Sequence, residues 1–278
     1  MKVAIVVDST TKLREDFSSH VDIYTIPVRV FIDDEEFQDT DEIADKILSA
    51  LNEGKKLETS LPKVDYVENL FEKLHRQYDV IYVLSVSSIL SGTYSLLSTI
   101  ANKYENIVVF DSKTVSIQNT YILERMVKDI SNGKNIDEDD IIYYRDDSLF
   151  LISIFDISRL HKSGRVGKII SLIGKMIHVK PIITIARSGE VQLVQKAISA
   201  KKIAEILEEK VDNFIEKVKT KNPGNIKIYA AVGKEEYKEY VYKISKKYDV
   251  KPYFLEIGPG VLTHVGTEGF GILIGFER

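Results

Sequence analysis

The chain has 278 residues, of which 44% are hydrophobic and 29% charged, with a formal net charge of −4. That balance describes a folded globular protein, and the length favours two domains over one. The mild acidity gives no basis for nucleic acid or an anionic membrane surface as a partner, and the absence of cysteine removes disulfides, thiolate metal sites and cysteine nucleophiles.

The run KVAIVVD (2–8) is continuously apolar and β-branched and ends in Asp8-Ser9-Thr10, which predicts a buried central strand. Residues 11–20 follow as a short helix candidate, and DIYTIPVRVFI (22–32) as a second strand whose Pro27 marks an edge or a bulge. Thr40-Asp41 offers an N-cap for the helix IADKILSAL, and after a loop GKKLETSLP a second helix carries Val67, Leu70, Phe71 and Leu74 on one face. DVIYVLSV (79–86) is the next buried strand, residues 91–104 a helix, and NIVVFDS (106–112) another strand. Helices through 121–130 and near 137–147 lead to LFLISIFD (149–156).

Alternating apolar strands and helices predict a doubly wound, mostly parallel α/β sheet. Right-handed crossovers then put the loops after each strand on one edge, where Asp8-Ser9-Thr10, Ser85 to Ser91 and Asp111-Ser112 converge. A second, smaller α/β domain is expected from about residue 158 to 278, with residues 1–157 forming the first. It opens with the basic loop LHKSGRVGK and an apolar helix from about Lys168, and continues with a hairpin over 178–199 turning at Arg-Ser-Gly-Glu. An amphipathic helix over 200–220, a strand–helix–strand pattern through KPYFLEIGPG, and the glycine-rich loop holding Thr263-His264 complete it. No stretch reaches the ~20 apolar residues of a membrane-spanning helix. MKVAIVVDST is too short an apolar run for a signal peptide. The expectation is a cytoplasmic protein without stable membrane insertion.

Several standard chemistries are missing. There is no GxxxxGK[ST], no GxGxxG after the first strand, no GxSxG and no HExxH among the scattered histidines. The acidic run Asp33 to Glu36 lacks the glycine-centred spacing of a calcium loop and reads as a solvated loop. Asp8 occupies the place of a phosphotransferase aspartate, but that chemistry wants a second carboxylate where Thr10 stands. No metal and no cofactor are expected.

What remains is hydroxyls and one histidine. SSILSGTYS (87–95) puts six hydroxyl side chains in nine positions where a strand gives way to a helix. Ser91 alone would be an ordinary helix cap, but capping explains one hydroxyl, not six. A helix N-terminus, a glycine at Gly92 and nearby hydroxyls suit an anion, and nothing in the sequence pairs a serine with an oriented base.

Six motifs then carry a resemblance: ETSLP (58–62), LSVSSILSGTY (84–94), VFDSKTVS (109–116), LHKSGRVGK (160–168), KPIITIARSGEVQLVQKA (180–197) and IGPGVLTHVGTEGFGI (257–272). Together with the opening VVDST they resemble, in order and over nearly the whole chain, the DegV family. The resemblance implies two α/β domains with a long-chain fatty acid held between them. Such proteins are binding partners of a fatty acid kinase, presenting the carboxylate for phosphorylation to an acyl phosphate that enters phospholipid synthesis. Matching positions imply Thr59, Ser91 and His264 as carboxylate ligands, Ser60, Gly92, Thr93 and Thr263 beside them, and Arg165 at the kinase or the phosphoryl group. The chain departs from the family pattern at Leu61, Lys63, Leu96-Leu97 and Thr267-Glu268, all outside that head-group set.

A fatty acid needs a small polar anchor and a long dry tunnel. VLSVSSIL (83–90) and IISLIGKMI (169–177), with Gly174 leaving room, are candidate walls, although the second is equally an ordinary core helix. Each buried methylene contributes ~0.8 kcal/mol, so the chain would dominate affinity and the hydroxyls would set orientation. The leading reading is therefore a non-catalytic carrier. Two others stay open: a serine hydrolase or acyltransferase using Ser91 or Ser9 with His264, and a lipid-sensing regulatory module.

Overall fold

In the computed structural model, which describes residues 1–165, 179–219 and 225–277, the first half of the chain alternates strands and helices. It runs β1 (Val3–Asp8), β2 (Asp22–Ile26), β3 (Arg29–Ile32), β4 (Glu35–Gln38), α1 (Ala44–Asn52), β5 (Leu57–Ser60), α2 (Val64–His75) and β6 (Val80–Ser85). It continues through α3 (Thr93–Ala101), β7 (Ile107–Asp111), α4 (Ile117–Ser131), α5 (Glu138–Asp146), β8 (Leu149–Ile154) and α6 (Ser158–Lys162). The second half holds β9 (Lys180–Ile185), β10 (Val191–Ala197), α7 (Ala200–Lys219), β11 (Asn225–Val232), α8 (Lys238–Tyr248), β12 (Tyr253–Leu255), α9 (Pro259–Val265) and β13 (Gly269–Glu277).

The expected parallel sheet is present, in the order β2-β1-β6-β7, with every pair parallel. Alternation along β1 explains its two covered faces. Ala4 and Val6 pack with Val67 and Phe71 of α2 and Leu97 of α3, whereas Ile5 and Val7 pack with Ile122, Leu123 and Met126 of α4. The strands end together: Asp8 pairs with Ile26 and Ser85 with Asp111.

Two further sheets complete the fold. A small antiparallel one has the order β4-β3-β5, and a six-stranded one runs β10-β9-β8-β13-β11-β12, antiparallel except between β11 and β12. Helices α7 and α8 bury Ile203, Ile206, Leu207, Val241 and Ile244 against one face of the larger sheet. Helix α4 reaches the other face with Ile117 and Tyr121. The Tyr121 hydroxyl donates to the Phe276 carbonyl and accepts from the Phe276 N–H, both at 3.1 Å, so one side chain ties α4 to β13 of the six-stranded sheet.

The structure departs from sequence expectation in four places. Residues 11–20 form turns rather than a helix. Arg14 in that stretch stands 3.2 Å from Glu124 of α4, and tertiary pairing overrides a weak local helical preference. The run 22–32 is two strands in two sheets, because Pro27 cannot donate to a ladder and the chain turns there. LETS within the expected loop 54–62 is strand β5, and the expected C-terminal loop around His264 is the short helix α9 with Pro259 in its first turn. In addition β8, which precedes residue 157, pairs with β9 and β13, so sheet membership changes at Leu149. The candidate wall 169–177, with Gly174, lies outside the described residues.

Candidate functional site

Three groups of backbone ends meet at the C-terminal edge of the parallel sheet, and buried carboxylates tie them together. Asp8 at the end of β1 accepts from the N–H groups of Thr10 (3.0 Å) and Val86 (2.6 Å) and from the Thr10 hydroxyl (2.6 Å). This fixes the loops after β1 and β6 to each other. Burial pushes the Asp8 carboxyl above its ordinary range, and these hydrogen bonds pull against that shift. Asp39, past the end of β4, accepts from Ser9 Oγ at 2.6 Å and from the Gly260 N–H at 2.8 Å. Gly260 is needed for space: a Cβ there would stand 2.5 Å from Asp39 Oδ2. Asp39 thereby fixes the start of α9, the helix that carries His264.

Between these loops and one face of the six-stranded sheet lies a cavity of about 460 Å³, within the ~300–1,000 Å³ range of small-molecule sites. Its dry wall is Ile152 and Ile154 of β8, Ile183 and Ile185 of β9, Val191 of β10 and Leu160 of α6. Its polar lining comes from Thr10, Thr59, Ser60, Ser88, Ser91, Gly92, Arg165 and His264. The stretch 83–90 proposed as a wall contributes Val86, Ser88, Ile89 and Leu90.

His264 Nε2 lies 2.8 Å from Thr59 Oγ1, a contact spanning 205 residues of sequence. Nδ1 is buried with no hydrogen-bond partner among the described residues. A buried N–H without an acceptor costs more than a bare lone pair, so the ring proton belongs on Nε2 and the imidazole donates to Thr59. The Thr59 hydrogen is then available to the cavity. Burial and the nearby Arg165 charge hold the His264 pKa down at about 4, so the imidazole is neutral at pH 7. Arg165 itself lines the cavity and donates from Nη1 to the Ser163 carbonyl at 2.6 Å.

Ser91 Oγ accepts from the Thr93 N–H at 3.2 Å and pairs with Thr93 Oγ1 at 2.8 Å. Of the eight site residues expected from sequence, Thr59, Ser60, Ser91, Gly92, His264 and Arg165 line one cavity. Thr93 and Thr263 do not: Thr93 is fully buried beneath Ser91, and Thr263 Oγ1 donates back to the Pro259 carbonyl at 2.9 Å. Gly92 is pressed by Leu61, whose Cδ2 would stand 3.3 Å from an added Cβ. The Ser87 hydroxyl donates to the Gly189 carbonyl at 2.8 Å and docks the β9–β10 hairpin. Ser88 and Thr10 also line the cavity, both from loops that follow strands of the parallel sheet. Arg29 and Asp39, which stand behind the lining at Ser60 and at Ser9 and Gly260, carried no site signal in the sequence.

The hydrogen bonds bear on nucleophilic chemistry. His264 engages Thr59 and Ser91 engages Thr93, so among the described residues no serine–histidine pair forms. Ser9 is directed to Asp39 and to the Val28 N–H. Among the described residues, no cluster of His, Asp and Glu is arranged to hold a metal ion, and no helix is long and apolar enough to cross a membrane.

Comparison with known proteins places this architecture. A family model described as "Uncharacterised protein, DegV family" matches residues 2–277. A DegV domain-containing protein of Clostridium acetobutylicum is 30% identical over 223 residues, covering 74% of this chain and 77% of its own. Among solved structures, a DegV family protein from Thermus thermophilus, described for its fatty acid binding, superposes with a TM-score of 0.88 at 20% identity over the whole of both chains. The Streptococcus pneumoniae Fatty Acid Kinase (Fak) B3 protein loaded with linoleic acid superposes at 0.83, with 18% identity, again over the whole of both chains. These likenesses, the parallel sheet and the six-stranded sheet beside it have one reading: the chain belongs to the DegV family.

Proposed function

We propose that this protein binds a long-chain fatty acid in the cavity between the parallel and six-stranded sheets and presents it to a fatty acid kinase. The observation that carries this reading is the division of one cavity into a hydroxyl-lined end and an isoleucine-lined wall. At the polar end, Ser91, Ser60 and the Thr59 hydroxyl backed by His264 donate to the carboxylate. Arg165 adds positive charge close to where a transferred phosphoryl group would develop its own negative charge. Along the dry wall each methylene contributes ~0.8 kcal/mol. The neutral His264 acts here as a hydrogen-bond donor and not as a base, in keeping with a carrier.

Lipid extraction of the purified protein followed by mass spectrometry tests the ligand. The expected result is about one long-chain fatty acid per chain. Recovery of none, together with no binding of added palmitate or oleate, overturns the proposal. Adding a fatty acid kinase with ATP and trapping acyl phosphate as the hydroxamate tests presentation. A bound acid that the kinase never phosphorylates leaves a sensor instead. Loss of a fluorophosphonate label in Ser91→Ala identifies a hydrolase.

A further inference from the structure

Ser60 lines the cavity, but its hydroxyl is held from behind. Arg29 stands directly across the β3–β5 ladder from it. The guanidinium donates from Nη2 to Ser60 Oγ at 2.9 Å and from Nε to the Leu61 carbonyl at 2.8 Å. Its remaining arm, Nη1, lies 3.3 Å from Glu36, whose other oxygen is held by Lys63 at 2.8 Å. The lysine and arginine together keep the Glu36 carboxyl below its ordinary range, so it stays ionised and the fork stays seated. A guanidinium carries donors only, so at this contact the Ser60 oxygen must accept. Its own hydrogen is then left for a group in the cavity. Thr59, the preceding residue of the same strand, is backed by His264 in the same manner.

We infer that Arg29 is a positioning residue of the head-group site: it makes Ser60 an obligate donor toward the cavity and sets a positive charge one hydroxyl behind the ligand. The site thereby selects an ionised head group over an uncharged one of equal chain length. This rests on the fatty-acid reading above. An anion gains from both the aligned O–H and the charge behind it, whereas an alcohol gains only an ordinary hydrogen bond. Arginine is suited to the task because its planar fork fixes the serine and the Leu61 carbonyl at once, which a lysine cannot do.

The test is calorimetric titration of wild type, Arg29→Gln, Arg29→Lys and Ser60→Ala with oleate and with oleyl alcohol. Arg29→Gln is expected to weaken oleate about tenfold, equivalent to ~1.4 kcal/mol, while the alcohol stays within about twofold. Arg29→Lys falls between, and Ser60→Ala reproduces the acid-selective loss. In the double variant Arg29→Gln/Ser60→Ala the two losses do not add, because one acts through the other. Equal weakening of acid and alcohol makes Arg29 a structural prop and overturns the inference, as does unchanged oleate affinity. If Arg29→Gln fails to fold, Arg29→Lys decides: an acid-selective loss supports the inference, and unchanged oleate affinity or equal weakening of acid and alcohol overturns it. Wild type binding neither ligand overturns the fatty-acid reading, and this inference with it. Wild type that binds oleate while the variants show no acid-selective loss overturns the inference only.

Discussion

The parallel sheet meets the cavity with the ends of its strands, whereas the six-stranded sheet meets it with a face. At a strand end the last N–H and C=O groups have no ladder partner, so the chain supplies polar side chains to satisfy them. Asp8, Ser85, Ser87 and Asp111 do this, and the neighbouring hydroxyls of Thr10, Ser88 and Ser91 line the cavity. On a sheet face every backbone group is already paired, and only alternate side chains show. Ile152 and Ile154 of β8 and Ile183 and Ile185 of β9 are such alternates, and they are dry. One cavity thus acquires a polar end and an apolar wall from two kinds of backbone geometry.

The strongest way to break this comparison is to put a charge on the dry side. Ile183 is 2% exposed and packs with Ile154 and Leu160. Ile183→Asp is expected to cost about 3–5 kcal/mol in denaturant unfolding and to abolish binding of oleate and oleyl alcohol alike. Retained oleate binding in that variant would place the acyl chain elsewhere.

A second test addresses the polar end through pH. His264 has a folded-state pKa of about 4 against an ordinary 6.5. The unfolded chain therefore takes up the proton first as pH falls. The stabilising preference for neutral imidazole is fully present above pH 6.5 and is lost progressively toward about pH 4, amounting to at most ~3 kcal/mol. Unfolding of ligand-free wild type and His264→Gln across that interval isolates the effect, since Asp8 and Asp39 titrate in both. Parallel curves would show that His264 is solvated in the folded protein.

The smallest expected effect separates hydroxyls that face the cavity from those that serve a helix. Ser91→Ala removes an acceptor from the Thr93 N–H and a donor from the ligand, so about 1 kcal/mol of stability and about five- to tenfold in oleate affinity should be lost. Thr263→Ala loses only its bond to the Pro259 carbonyl, and oleate affinity should stay within about twofold. Equal losses in affinity would erase the distinction.

Much of this was legible in the linear chain. The apolar runs at 2–8 and 79–86 specified central strands because both faces of a parallel strand are buried, and the polar residues just after them marked the edge that the cavity adjoins. The motifs around Thr59, Ser91 and His264 gave the family, and the three residues line one cavity. Less legible were contributions that depend on register. Nothing local to Arg29 announces that β3–β5 pairing sets it opposite Ser60, and nothing in THV announces a helix rather than a loop. Thr93 and Thr263 look like their cavity-lining neighbours in sequence, but the Thr93 hydroxyl pairs with that of Ser91 and the Thr263 hydroxyl turns back to the Pro259 carbonyl.

Sequence by itself, then, determined the elements with a strong hydrophobic period, the place where hydroxyls gather, and the absence of thiol chemistry, because these follow from composition and local pattern. Tertiary structure decided which hydroxyls face the cavity, that Pro27 passes the chain from one sheet to another, and that His264 and Arg29 stand behind Thr59 and Ser60. These are contacts between residues distant in the chain, and their geometry exists only once strand register and helix placement are fixed by the packed core.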